Sequence, residues 1–307
     1  MADQIVLAGR TFVILLLALV VTALVAGCGG SDKAGDDLVL VSTRDGDYAL
    51  FGMNRDGTNQ GRLTKEKGDP STSTGLLFQI EPAWSPDGGQ IAFASRREGS
   101  VDIFVMNADG TNTQRLTSTK LDDEHPTWSP DGKRIAFGRS DGHLYVMRAD
   151  GSATKRLTES LDPESDPAWS PDGSSIAFIH RTPGTPIREA WLMDADGGGA
   201  HRLTSLEAQS YTPAWAPDSR SIAFASNDKS KRFGIFTIGI DGKDLRRITS
   251  ATSSDSFEPS WSADGNVIAF SRDGSIVTVD PRGNEVVLTD PENNDSSPAW
   301  RPARPTK

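Results

Sequence analysis

Pro82-Ala83-Trp84-Ser85-Pro86-Asp87-Gly88 is the stretch from which the rest of the chain can be read, because it keeps coming back. It returns as Pro126-Thr127-Trp128-Ser129-Pro130-Asp131-Gly132 and as Pro167-Ala168-Trp169-Ser170-Pro171-Asp172-Gly173. Pro213-Ala214-Trp215-Ala216-Pro217-Asp218-Ser219 and Pro259-Ser260-Trp261-Ser262-Ala263-Asp264-Gly265 follow, and Pro298-Ala299-Trp300-Arg301-Pro302 ends the series. Successive tryptophans lie 44, 41, 46, 46 and 39 residues apart. A period of that length with a fixed internal order marks a repeat architecture.

Each unit predicts four strands. Pro-x-Trp begins the first, where a proline is tolerated because it heads the strand. Ser-Pro-Asp-Gly makes a tight turn, with Pro presetting φ and Gly taking the last position. The second strand carries Ile-Ala-Phe at 91–93, 135–137, 176–178, 222–224 and 268–270, apolar on consecutive residues as in a strand covered on both faces. The third alternates, as in Asp102–Met106 and His143–Met147, and leaves through an Asp-Gly turn. Arg-Leu-Thr at 115–117, 156–158 and 202–204, or a near variant at 247–249 and 287–289, closes the unit as the fourth strand. Units of this size with four strands are propeller blades.

The chain ends supply the closure. Residues 38–64 hold strands two to four with no Pro-x-Trp before them, and Ser297-Pro298-Ala299-Trp300 is a first strand with nothing after it. Together they complete one blade, so an all-β, six-bladed propeller over 38–302 is expected, with a tail at 303–307. Sharing a blade between the ends pairs edges that would otherwise lie open. The repeated tryptophans are then core residues packed between sheets, each burying about 200 Å². Trp191 departs from the pattern, because it falls on a third strand in Ala190-Trp191-Leu192-Met193.

Composition agrees with many short strands. Hydrophobic residues are 36% of the 307, with 30 Gly and 18 Pro. The net charge of −10 with no basic run argues against a nucleic-acid partner. Cys28 is the only cysteine, so no intramolecular disulfide can form. Residues 12–26 (FVILLLALVVTALVA) are uncharged and follow Arg10, a pattern that fits a signal peptide over 1–27. The run is shorter than the roughly 20 apolar residues of a membrane-spanning helix. Val25-Ala26-Gly27-Cys28 resembles a bacterial lipobox, which implies lipidation of Cys28 and attachment in the cell envelope, outside the cytoplasmic membrane. Residues 29–37 (GGSDKAGDD) then read as a flexible tether.

The combination of Pro-x-Trp-Ser-Pro-Asp-Gly, Ile-Ala-Phe, the Asp-Gly turn and Arg-Leu-Thr resembles the TolB-type propeller repeat, the WD40-like PD40 repeat, over 38–302. The resemblance implies a periplasmic propeller that works by binding envelope proteins, a peptidoglycan-associated lipoprotein among them. Two departures limit the transfer. The family's namesake carries an α/β domain before its propeller and is not anchored, whereas here a short tether joins Cys28 to the first strand.

The residue before each Pro-x-Trp sits where the chain crosses from one blade's rim to the next blade's centre. These residues are Glu81, His125, Asp166, Thr212, Glu258 and Ser297, with Tyr211 beside Thr212, and they are expected to ring one channel mouth. Loops between second and third strands lie on the same face and carry Arg44, Arg97, Arg139, Arg181 and Arg272. Such charges either hold a polar ligand or satisfy one another. Two longer connections, 65–81 with Leu76, Leu77 and Phe78, and 180–190, are candidate contact loops.

Catalytic signatures are scarce. Gly-x-Ser-x-Gly is absent, and Ser152-Ala153-Thr154-Lys155 lies in a turn without companion motifs. The four histidines, His125, His143, His180 and His201, show no ligand spacing, although His125 and His180 share the channel side. Asp194-Ala195-Asp196-Gly197 lacks the remaining ligands of a calcium loop. No cofactor or metal is therefore expected, and a monomer is, since a closed ring offers no edge for strand exchange. The leading expectation is a non-enzymatic envelope lipoprotein that binds a protein or a cell-wall component. Two alternatives stay open: a carbohydrate-active lyase or glycosidase using Glu81, Asp166 and Glu258 with His125, and a small-ligand sensor with a pocket at the channel mouth.

Overall fold

A computed structural model describes residues 37–64, 78–227, 231–250 and 254–303, of which 78, 79, 97 and 98 are described by backbone alone. Six four-stranded antiparallel sheets follow one another along the chain. The third blade is representative: Asp123–Trp128 pairs with Arg134–Arg139, that strand with His143–Arg148, and that one with Lys155–Arg156. The composite blade is built as the sequence predicts, with Asp295–Trp300 alongside Leu38–Ser42, then Ala49–Met53 and Gly61–Arg62. A 3-10 turn at Pro291–Asn293 leads into the closing strand.

The consecutive apolar residues of the second strand are buried on both faces. Phe93, Phe137, Phe178, Phe224 and Phe270 are each fully buried, a gain of about 1.5–3 kcal/mol apiece. Apolar clusters lie between neighbouring sheets: Phe137 packs with Ala92, Ile103 and Trp128, and Phe178 with Ala136, Leu144 and Trp169. Three of the six repeat tryptophans, Trp84, Trp128 and Trp215, do more than fill space. The indole N–H of Trp128 donates to the carbonyl of Ala83 at 3.2 Å and that of Trp215 to Ala168 at 2.9 Å, linking inner strands of adjacent blades. Trp191 packs instead on His180, with ring centroids 4.6 Å apart.

The two turn motifs have separate tasks. In Ser-Pro-Asp-Gly the serine hydroxyl donates to the aspartate and accepts the N–H of the second strand, as Ser85 does with Asp87 at 2.6 Å and with Gln90 at 2.8 Å. The outer Asp-Gly turn brings blades together. Gly110 has φ +80°, and a Cβ there would lie 2.1 Å from the carbonyl oxygen of Leu63 in the preceding blade, so only glycine fits.

Arg-Leu-Thr extends beyond strand pairing. Its fourth strands are shorter than the sequence suggests, mostly two residues ending at the arginine. The threonine hydroxyl then accepts a third-strand N–H, as Thr117 does from Ile103 at 2.9 Å. The same bond joins Thr64 to Leu50, Thr158 to Leu144, Thr204 to Ala190, Thr249 to Ile235 and Thr289 to Ile276. A side chain thus continues the ladder where the backbone has turned away.

Candidate functional site

The first strand of every blade is interrupted at the same place. Register shifts fall between Ile80 and Ala83, Glu124 and Thr127, Ser165 and Ala168, Tyr211 and Ala214, Phe257 and Ser260, and opposite Val39 and Val41 in the composite blade. At each bulge the residue before proline takes positive φ: Glu81 55°, His125 55°, Asp166 52°, Thr212 48°, Glu258 56° and Ser297 47°. A residue before proline ordinarily stays extended, and the left-handed region costs non-glycine residues about 1–3 kcal/mol each. Thr212, β-branched, is the least suited to it. The bulges bring these six side chains and their prolines together around one cavity of about 140 Å³ on the axis. The ring expected from sequence is therefore present, created by a six-fold backbone distortion.

Its charges are unevenly shared. His125 Nε2 lies 3.0 Å from Glu81 Oε1 and 2.7 Å from Asp166 Oδ1, and its backbone N–H donates to Glu81 Oε2 at 2.6 Å. Burial opposes charge on the imidazole, but Asp166 and Glu81 outweigh it and lift its pKa to about 10. Burial likewise pushes Glu81 up to about 7 against the pull of His125. Asp166 is held below the usual carboxylate range, because the charge of His125 overcomes the cost of its burial. Across the ring, Glu258 accepts from Ser297 N–H at 2.7 Å, Ser271 Oγ at 2.8 Å and Ser297 Oγ at 2.9 Å, all neutral donors. The buried Thr212 Oγ1 has no hydrogen-bond partner among the described residues.

Beside the ring a wider cavity of about 460 Å³ opens over the third to sixth blades. His125, Asp166, Tyr211, Thr212 and Glu258 reach it from the centre, and Arg139 from the rim. The rim arginines turn inward on their own blades. Arg139 is bidentate on Asp123 at 2.6 and 3.1 Å, Arg44 on Asp295 at 3.0 and 2.9 Å, and Arg272 on Glu285 at 2.6 and 3.1 Å. Arg181 Nε donates to Thr185 O in the hairpin that joins Ser175–Arg181 to Arg188–Asp194. Of the two outcomes open to these arginines, mutual satisfaction is the one three of them take. The Arg97 side chain, Cys28 and most of the 65–81 connection, with Leu76, Leu77 and the Phe78 side chain, lie outside the described residues.

Among the charged and aromatic residues of this cavity, sequence reading did not single out Glu124, Glu164, Arg188 or Phe257. Glu124 adjoins His125 and Phe257 adjoins Glu258, so proximity to the ring was the available signal. Arg188 lies in the 180–190 connection, and its guanidinium stands over the Tyr211 ring at 5.5 Å. Among the described residues there is no group of three or more His, Cys, Asp or Glu that could hold a metal ion. The Nε2 of His125, facing two carboxylates, is a donor and has no lone pair for a cation. Nor is any helix among them long and apolar enough to cross a membrane.

Fold and site define a six-bladed propeller with a built channel mouth. The PD40 family pattern, the TolB beta propeller domain, matches residues 72–158 and 138–304, and the chain belongs to that family. Over 68 residues it is 37% identical to the Tol-Pal system protein TolB of Syntrophus aciditrophicus (strain SB), a match covering 22% of this chain and 13% of that protein. The chain is similar in structure to TolB from Acinetobacter baumannii, with TM-score 0.73 and 21% identity over 89% of this chain and 69% of that one. It is also similar to a putative TolB from Agrobacterium tumefaciens, with TM-score 0.64 and 19% identity over 87% and 99% of the two chains. At those identities the structures share a fold. The matched segment of the curated relative is a small part of that protein's own length.

Proposed function

We propose that this chain is a cell-envelope lipoprotein, anchored through Cys28, whose channel mouth binds a partner protein in a Tol-Pal-type assembly, and that it is a binding module, not an enzyme. The observation that carries the reading is the ring of six bulged residues opening into the wider cavity. Backbone strain repeated in every blade is kept where the fold needs those side chains presented. The lipobox-like Val25-Ala26-Gly27-Cys28 supports the anchor, and the relative's name supports the assembly.

The test is crosslinking mass spectrometry of the full chain in native envelopes, beside a Glu81→Gln/His125→Gln/Glu258→Gln variant. One envelope protein crosslinked near the cavity, and lost in the variant, is the expected result. A pattern of crosslinks that the variant leaves unchanged overturns the reading. Cys28→Ser should release the chain from the membrane fraction, and retention there would refute the anchor.

A second reading, a carbohydrate-active enzyme, draws on Glu81 and Asp166 meeting at one imidazole, with one carboxyl raised to about 7 and the other ionised. Glycoside chemistry needs such a pair. Turnover of an envelope glycan by the wild-type chain, abolished in Glu81→Gln, would favour it over the first.

A further inference from the structure

The wider cavity has a charge asymmetry that the ring does not explain. Four carboxylates line it, Glu124, Glu164, Asp166 and Glu258, against His125, Arg139 and Arg188. His125 is already engaged by Glu81 and Asp166, and Arg139 by the buried Asp123. The balance is still acidic: Glu124 shares the charge of His125 with two other carboxyls, Glu164 has Arg156 of the preceding blade, and Arg188 acts on Asp166, which leaves Glu258 facing neutral donors. The Glu124 carboxylate makes no hydrogen bond or ion pair among the described residues. Glu258 is held by hydroxyls and an N–H, which carry no charge to offset its own.

Glu164 is the independent sign that something is missing. It is 6% exposed; its carboxyl reaches Thr158, but its Oε2 is buried with no hydrogen-bond partner among the described residues. Buried polar atoms in folded proteins are satisfied, and an exception calls for a partner. Its neighbours in the repeat show the contrast, because Asp123 and Asp295 at the equivalent strand position each hold an arginine of their own blade. In the fourth blade the residue paired opposite Glu164 is His180, whose Nε2 goes to Ser160 Oγ at 3.1 Å. The charge that offsets Glu164 comes from Arg156 of the preceding blade, and burial still pushes its carboxyl above the usual range. Tyr211 and Phe257 add two aromatic side chains to the wall, suited to an aliphatic stem or a cation over a ring.

We propose that this cavity takes a basic side chain, lysine or arginine, from the bound partner, with Glu124, Glu164 and Glu258 as its acceptors. The proposal rests on the binding-module reading and adds the chemistry of the partner's docking segment. Arg188, set over Tyr211 in the same wall, is a cation that an incoming basic side chain must share the cavity with.

Titration of the full chain in detergent, followed by NMR, with Nα-acetyl-lysine amide, Nα-acetyl-arginine amide and Nα-acetyl-glutamate amide tests it. The two basic probes should bind and the acidic one should not. Glu124→Gln/Glu164→Gln should weaken the basic probes about tenfold or more, and Arg188→Gln should strengthen them. That second variant keeps the test informative if the first proves unstable. Glutamate binding as tightly as lysine, or a loss of lysine binding in Arg188→Gln, overturns the proposal. The outcome is separable from the parent reading: a crosslinked partner with no probe preference sinks only the basic side chain. A lysine site with no crosslinked partner sinks only the protein-binding role.

Discussion

The indole nitrogen of Trp84 donates to the carbonyl of Ala299 at 3.1 Å, a bond between residues 215 apart in sequence. It is the same inter-blade link that Trp128 makes to Ala83, but here it ties the C-terminal strand to the second blade. The joint is reinforced by Arg301, whose Nη2 donates to Gly88 O at 2.6 Å and whose guanidinium stands over the Trp84 ring at 4.9 Å.

Ending the chain after Asn294 removes Asp295–Trp300 and exposes the edge at Leu38–Ser42. Thermal unfolding of that truncation should lose its single cooperative transition. Trp84→Phe, which keeps an aromatic ring but loses the pyrrole half of the indole with its N–H, should cost about 1–3 kcal/mol in a denaturant titration with cooperativity retained.

Gly110→Ala should be among the most damaging of the turn substitutions. The new Cβ meets Leu63 O at 2.1 Å, whereas at Gly242, with φ +77°, it would sit 3.8 Å from Leu203 O. Both substitutions carry the cost of left-handed φ, about 1–2 kcal/mol. Only Gly110→Ala must also push two blades apart. Equilibrium unfolding should rank Gly110→Ala clearly below Gly242→Ala.

Thr117→Val replaces the hydroxyl that accepts Ile103 N–H with a methyl of similar size. An orphaned buried N–H costs about 1–3 kcal/mol. Hydrogen exchange at Ile103 should quicken in this variant more than at Leu144 in the neighbouring blade, where Thr158 is untouched.

The His125 cluster predicts a definite slope with pH. Its folded pKa of about 10 lies above the ordinary 6.5. The stabilisation is thus complete below 6.5 and is lost as pH rises toward 10. Glu81, raised to about 7 from 4.5, works in the same direction over its lower window. Melting temperature of the wild-type chain should fall through the alkaline half of the His125 range, and His125→Gln should flatten that part of the curve.

Trp84, Trp128 and their counterparts made the blades legible, because a large aromatic at a fixed offset from a Ser-Pro-Asp-Gly turn has few other uses. The composite blade was equally readable from what each end lacked. The positions of Glu81 and His125 at the mouth followed from the crossing geometry. Their conformation did not, since a residue before proline reads as extended and nothing in one sequence announces a bulge. The partners of Arg139 and Arg272 were hidden for a related reason. Asp123 and Glu285 lie far enough away along the chain that only strand register sets them beside those guanidinium groups. Glu164 escaped notice because it looks like any acidic residue near a strand start, and only its empty Oε2 distinguishes it.

The shared blade also imposes an order in time. From Ser42, the last residue of the first strand, to Asp295, where its inner partner begins, is 253 positions along the chain. At typical synthesis rates of about 5–20 residues per second, that is a wait of roughly 13–50 s. Through that interval Leu38–Ser42 has one neighbour and an open flank, and the ring is an arc. Folding of this protein is therefore gated by its C-terminus. A chain cut just before Asp295 has five complete blades and an unfinished sixth, and its ring stays open.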